Sequence, residues 1–181
     1  MAKKLDKIVI VDLEATCWEG ATPNGMESDI IEIGVCLLDI SSGEITDNRG
    51  ILVKPERSEI SPFCTTLTTI TPEMIDLEGI SFKQACTILK KEYLSQERSW
   101  ASFGAYDFKQ FQRQCSALGV GYPFSPSHIN VKTLFALKKG LDREEGMAGT
   151  LNILSLPLKG THHRGVNDAY NIAKILNWIL K

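Results

Sequence analysis

A chain of 181 residues with 43% hydrophobic and 23% charged residues has the composition of a soluble globular protein, long enough for one domain with a sizeable core and short for two. The formal net charge of −2 lacks the basic excess common in nucleic-acid-binding proteins, and no apolar run approaches the length that spans a bilayer. Net charge does not by itself fix the partner, because divalent cations held by carboxylates would turn an acidic site electropositive.

The start of the chain, MAKKLDKIVIVDLEAT, lacks the long apolar core and small-residue cleavage pattern of a secretory signal. Five cysteines, Cys17, Cys36, Cys64, Cys86 and Cys115, form no CxxC pair, and their odd number argues against a disulfide framework. A reducing cytoplasm is the expected setting, with most of these cysteines serving as small buried hydrophobes.

Ile8–Val9–Ile10–Val11 reads as a strand buried on both faces in the middle of an α/β sheet. It runs into VDLEAT, where strand alternation places Asp12 and Glu14 on the face begun by Ile8 and Ile10. Two carboxylates held that close repel unless one protonates or a cation lies between them, and an oxygen-ligated Mg²⁺ or Mn²⁺ is the simplest resolution. A loop follows through Pro23, Asn24 and Gly25. Residues 29–39 and 45–53 then read as strands joined by a Ser41–Gly43 turn, an antiparallel meander. Glu32 inside the second of these strands reads as a paired, hydrogen-bonded carboxylate rather than a ligand.

After Lys54, Pro55 and Pro62 point to irregular structure. Thr71–Pro72 has the form of a helix cap and first helical residue, and Ser81 with Gln84 fits a capping box opening an amphipathic helix over 82–94. Residues 100–103 read as a strand broken at Gly104, followed by a helix from about Asp107. The Asp107–Gln110 spacing is itself that of a capping box, although one carboxylate has enough lone pairs to cap a helix and bind a metal. Residues 119–130 read as a loop, 131–137 as a helix stopped by Gly140, and 141–149 as an exposed excursion without assigned chemistry. A short helical piece over 151–154 ends before Pro157. Ile172, Ile175, Leu176 and Ile179 then mark an amphipathic terminal helix beginning near Asn167 or Asp168. His163 lies five positions before Asp168, about 140° away on a continuous helix, so the two converge only if His163 sits in the preceding loop, which Gly165 makes plausible. His162 reads as a surface or hydrogen-bonded residue, or a weak phosphate contact.

Each acid has a structural explanation on its own. The ordered set, Asp-x-Glu at a strand end, Asp at a strand-to-helix junction and His-x-x-x-x-Asp entering the last helix, resembles the DEDDh 3′→5′ exonucleases of the RNase T and proofreading superfamily. VDLEATCWEG, IIEIGV, FCTTLTTI and HHRGVNDAYNIA look most like the branch of histone-mRNA and small-RNA 3′-exonucleases and sporulation-inhibitor-type proteins, and the resemblance covers nearly the whole chain. It implies an α/β, ribonuclease H-like mixed sheet flanked by helices, with residues 1–181 forming a single exonuclease domain. By that resemblance Asp12, Glu14, Asp107 and Asp168 hold two divalent cations, Mg²⁺ or Mn²⁺, and His163 is the general base. Leu13, Ala15 and Thr16 border the terminal sugar, while Phe63, Leu67 and Tyr106 offer surface to the last base. The implied partner is a single-stranded RNA or DNA 3′ end, RNA favoured, with protein partners and oligomeric state open. A DNA-trimming or proofreading nuclease on the same site, a catalytically silent nucleic-acid or partner-binding domain, and a metal-dependent phosphodiesterase acting on small nucleotides or short oligonucleotides are the alternatives. The chain departs from the branch at Thr69, where glycine is usual, and at Asn167, where a second acid is frequent.

Overall fold

The computed structural model describes residues 3–181. The β-branched run extends the backbone into β1 (Lys4–Ala15), whose Val9, Ile10 and Val11 are wholly buried. β2 (Ile30–Asp39) and β3 (Ile45–Leu52) complete the expected antiparallel meander on one side of β1. β4 (Arg98–Ser102) pairs parallel with β1 on the other side, and β5 (His128–Asn130) pairs parallel with β4, giving the order β3-β2-β1-β4-β5. The mixed sheet flanked by helices is the architecture expected from the sequence. The three-residue β5 lies where a loop was expected, because Trp100, Ala101 and Ser102 offer it an edge that no local pattern announces.

Alternation along the strands divides the core between two faces. Val9, Val11, Leu13, Ile33 and Val35 pack against α3 (Phe82–Glu92) and α4 (Tyr106–Leu118). Ile8, Ile10, Cys36 and Leu38 pack against α5 (Val131–Lys139), α6 (Met147–Ile153) and α7 (Gly165–Leu180). The Ser81–Gln84 capping box forms as expected. Two further helices correct or confirm the reading of the segment after Lys54. α1 (Pro62–Thr68) replaces expected irregular structure: Ser61 Oγ accepts the Cys64 N–H at 3.0 Å and Pro62 opens the helix, where its missing N–H costs nothing. α2 (Pro72–Glu78) starts from Thr71 in the same way, as expected.

α6 begins at Met147, four residues before the expected helical piece, because Met147 and Leu151 bury together under the sheet. α7 begins at Gly165, so this glycine opens the helix instead of loosening the loop before it. A Cβ at Gly34 would lie 1.8 Å from the Gly165 carbonyl oxygen, so the first turn of α7 rests directly on β2. Gly34 is the residue paired with Asp12 across β1 and β2, and this close approach carries Asp168 to the end of β1.

Candidate active site

Asp12 and Glu14 project from the last turn of pleat in β1 onto the face covered by α7, and Asp168 sits in the first turn of α7. One carboxylate oxygen from each of the three lies within 4.8 Å of the others. Asp107 reaches the same strand end from the opposite side. The register of β1 with β4 ends at Ile10 and Ala101, leaving the Leu13 N–H beyond the strand partner, and Asp107 Oδ1 accepts it at 3.0 Å. The expected capping box is absent: α4 is capped at Ala105 without a side-chain bond, and Gln110 donates instead to the Ser28 carbonyl at 2.7 Å. A local Asp-x-x-Gln spacing gave way to a contact 94 residues away.

The four carboxylates are held where negative charge is poorly tolerated. Burial, then the neighbouring Asp107, Glu14 and Asp168, push Asp12 well above the usual carboxylate range. Glu14 is pushed up to about 8 by burial and by Asp168, Glu32 and Asp107, against which Arg164 acts weakly. Burial raises Asp168, and it raises Asp107 to about 6 in spite of hydrogen bonds from its own N–H, Leu13 and Ser102. An all-oxygen set of converging acids under mutual repulsion fits a hard divalent cation, which would supply the missing positive charge.

His163 stands outside α7, as convergence with Asp168 requires. Its backbone is left-handed at φ +62°, and its N–H donates to Asp168 Oδ2 at 2.9 Å. The His162 ring stacks on that of His163 with centroids 4.1 Å apart, and His162 Nδ1 lies 3.1 Å from Asp168 Oδ2. Its hydrogen-bonded reading therefore holds. Burial, reinforced by His162, lowers the pKa of His163 against the pull of Asp168. Glu32 is paired, as expected: Arg164 donates to both its oxygens at 3.2 Å, and the Gly165 N–H donates at 2.8 Å.

Asp12, Leu13, Glu14, His162, His163 and Asp168 line one cleft of about 340 Å³ together with Tyr106. Phe103, Lys132, Gly146 and Met147 complete its wall, and none of these four was singled out from sequence. Their segments, the end of β4, the start of α5 and the loop into α6, read locally as ordinary structure, and only the fold brings them together.

The exonuclease family model of RNase T matches residues 9–176. The chain belongs to the RNase T exonuclease family. The 3′-5′ exoribonuclease 1 of Rattus norvegicus is 33% identical over 183 residues, covering 94% of this chain and 52% of the rat protein. The Homo sapiens 3′-5′ exoribonuclease 1 is 31% identical over 179 residues, with 94% and 51% covered. The chain thus spans about half the length of the curated relatives it matches. Among solved structures, the nuclease domain of 3′hExo, a DEDDh family member, bound to rAMP, superposes with a TM-score of 0.87 at 30% identity, over 99% of this chain and 94% of that one. Membership in the RNase T family, and in its DEDDh class, agrees with the resemblance carried by the sequence motifs, and the fold is ribonuclease H-like.

Tyr106 is 51% exposed at the cleft. Phe63 and Leu67 are exposed on one face of α1, one helical turn apart, while Cys64 and Thr68 anchor the other face. α1 is docked at the end of β1, where Ser61 Oγ donates to the Cys17 carbonyl and Cys64 Sγ to the Ala15 carbonyl. Leu13 and Ala15 are buried, and the Thr16 hydroxyl accepts the Asp29 N–H and bonds Ser58, so the contacts left to these three are chiefly backbone. Thr69 is the left-handed C-cap of α1 at φ +61°, a conformation that glycine adopts without strain, and its hydroxyl accepts from Arg164 at 3.4 Å. Asn167 donates to the Thr161 carbonyl at 3.3 Å, outside the acid cluster.

Proposed function

We propose that this chain is a metal-dependent 3′→5′ exonuclease that trims single-stranded or frayed 3′ ends, RNA in preference to DNA, and releases nucleoside 5′-monophosphates, with residues 1–181 acting as one domain. The observation that carries it is the convergence of Asp12, Glu14 and Asp168 on one cleft beside His163, with Asp107 at the same strand end. A fold that superposes on a nuclease domain solved with rAMP supports the same substrate class.

Asp12, Glu14, Asp107 and Asp168 hold two divalent cations, Mg²⁺ or Mn²⁺, in this reading. When bound, such cations lower the pKa of the attacking water and neutralise charge developing on the leaving 3′ oxygen. The protein does the rest. The lowered pKa of His163 keeps its ring neutral near pH 7, so it can accept the proton of that water. The Asp168 carboxylate fixes the His163 backbone through its N–H. Tyr106, Phe63 and Leu67 offer the terminal base flat or apolar surface, which favours no particular base because every base has a π-face. The backbone around Leu13, Ala15 and Thr16 borders the terminal sugar.

Matched 5′-labelled single-stranded RNA and DNA, incubated with Mg²⁺, Mn²⁺ or EDTA, test the reading, with Asp12→Ala purified in parallel. The expected outcome is a ladder shortening from the 3′ end, abolished by EDTA and by Asp12→Ala, with RNA shortened faster. Cleavage that survives Asp12→Ala or EDTA, or cleavage confined to dinucleotides, would sink it.

A further inference from the structure

Resting on the exonuclease reading of the cleft, we propose that Lys132 binds a backbone phosphate of the incoming single strand and that Glu144 occupies the same ammonium group when no strand is bound. The cleft gathers three carboxylates and two histidines, and Lys132 is the one lysine or arginine among its described lining residues. A polyanionic strand entering that wall is repelled by its carboxylates and finds a fixed positive side chain there at Lys132, beside whatever cations the acids hold.

The fold fixes where Lys132 starts. Asn130 ends β5 opposite Ser102 of β4, and its side chain caps α5 by accepting the Thr133 N–H at 3.2 Å. Val131 and Phe135 are wholly buried under the sheet. The base of the Lys132 side chain is therefore tied to the strand end that leads through Gly104 to Asp107, and only its flexible stem is free to move. The ammonium lies 3.7 Å from Glu144 Oε2, with the two side chains 31% and 41% exposed. That separation is long for a charge-assisted hydrogen bond, and a partly exposed pair of this kind contributes little stability. It can be exchanged for a phosphate at small cost. Glu144 does not depend on the lysine for its position, since Oε1 accepts the Thr133 hydroxyl on the first turn of the same helix. This leaves a carboxylate poised beside the ammonium as a competitor for the strand.

The test is equilibrium binding of a short 5′-fluorescein single-stranded RNA, followed by anisotropy with Ca²⁺ in place of Mg²⁺. Lys132→Gln should bind about fivefold more weakly than the natural protein, the scale of one partly exposed ion pair. Its slope of log K against log salt, taken from about 50 to 200 mM KCl, should shrink by about 0.7, the contribution of one phosphate contact to a single strand. Lys132→Arg should restore the slope, which a merely structural role would not require. Glu144→Gln should bind about twofold more tightly, because the competitor is gone while Thr133 keeps an acceptor. Lys83→Gln, an exposed lysine of α3 across the sheet, controls for loss of charge alone. Affinity and slope in Lys132→Gln equal to those of Lys83→Gln, or weaker binding in Glu144→Gln, would overturn the proposal. Failure of the natural protein to bind or shorten any strand would instead remove the exonuclease reading on which it rests.

Discussion

The two ends of β1 hold the same kind of side chain and treat it in opposite ways. At its start, Asp6 is about half exposed and meets Arg98, whose Nε and Nη2 donate at 3.1 and 2.7 Å; this partner holds the Asp6 carboxyl down at about 2. At its end, burial and the neighbouring acids push Glu14 up to about 8 and Asp12 well above its usual range. β4 supplies a guanidinium to the acid at the start of β1, whereas among the described residues no arginine pairs with Asp12 or Glu14 at its end; Arg164 is bound to Glu32. Structural acids come with their cation built into the chain. Asp12 and Glu14 have no such pairing among the described residues, a deficit that a bound divalent cation would make up.

The strongest way to break this contrast is to separate the proton from the ion. If the deficit at the end of β1 is filled by cations and His163 moves only a proton, His163→Ala should lower turnover by roughly 10²–10⁴-fold, the usual scale for a general base, while leaving cation binding largely intact. His162→Ala should cost less than about tenfold, since His162 touches Asp168 but is not the assigned base. Single-turnover rates of the two variants decide it. A larger loss from His162→Ala would transfer the proton step to the neighbouring ring.

A smaller effect sharpens the same contrast in the absence of substrate. A cation that binds the folded chain alone stabilises it by about 2.7 kcal/mol at a hundredfold excess over its dissociation constant. Melting after EDTA treatment, then with added Mn²⁺ or Mg²⁺, should show the rise in the natural protein and in His163→Ala. Asp12→Ala should lose most of it. A rise of equal size in Asp12→Ala would place the bound ion elsewhere on the molecule.

Much of this site was readable from the chain, and the reasons differ by residue. Asp12 and Glu14 were placed by strand alternation, and His163 by the arithmetic of helical turns, both of which are local rules. Glu32 was read as paired, and the structure supplies Arg164 and Gly165 as its partners. Asp107 was located correctly but given the wrong bond, because Asp-x-x-Gln looks the same whether its carboxylate closes a helix end or satisfies a strand N–H far away in sequence. α1 had a readable signal: Ser61–Pro62 repeats the logic of Thr71–Pro72, and two prolines nearby masked it. Lys132, Gly146 and Met147 had none: Lys132 follows β5, an edge strand too short to show a period, and Gly146 and Met147 reach the cleft only through the packing of α6.

The smallest effect provides the reference for the whole comparison. The pKa of Asp6 falls from the ordinary 3.8 to about 2 on folding, so the folded protein binds this proton less readily than the unfolded chain. The stabilisation from its pairing with Arg98 is therefore fully present above about pH 4 and is lost as pH falls toward 2. With Asp6 about half exposed, it amounts to less than about 1 kcal/mol. Asp6→Asn should lower the urea midpoint slightly near pH 5, and the gap to the natural protein should narrow as pH falls through about 2.5, where the unfolded chain has taken up the proton and the folded Asp6 has begun to. The variant should thus show a shallower loss of stability with acid. Equal slopes in the two proteins would mean that Arg98 does not hold Asp6 ionised in the folded state, and the uncompensated acids at the other end of β1 would lose the internal standard against which their deficit is judged.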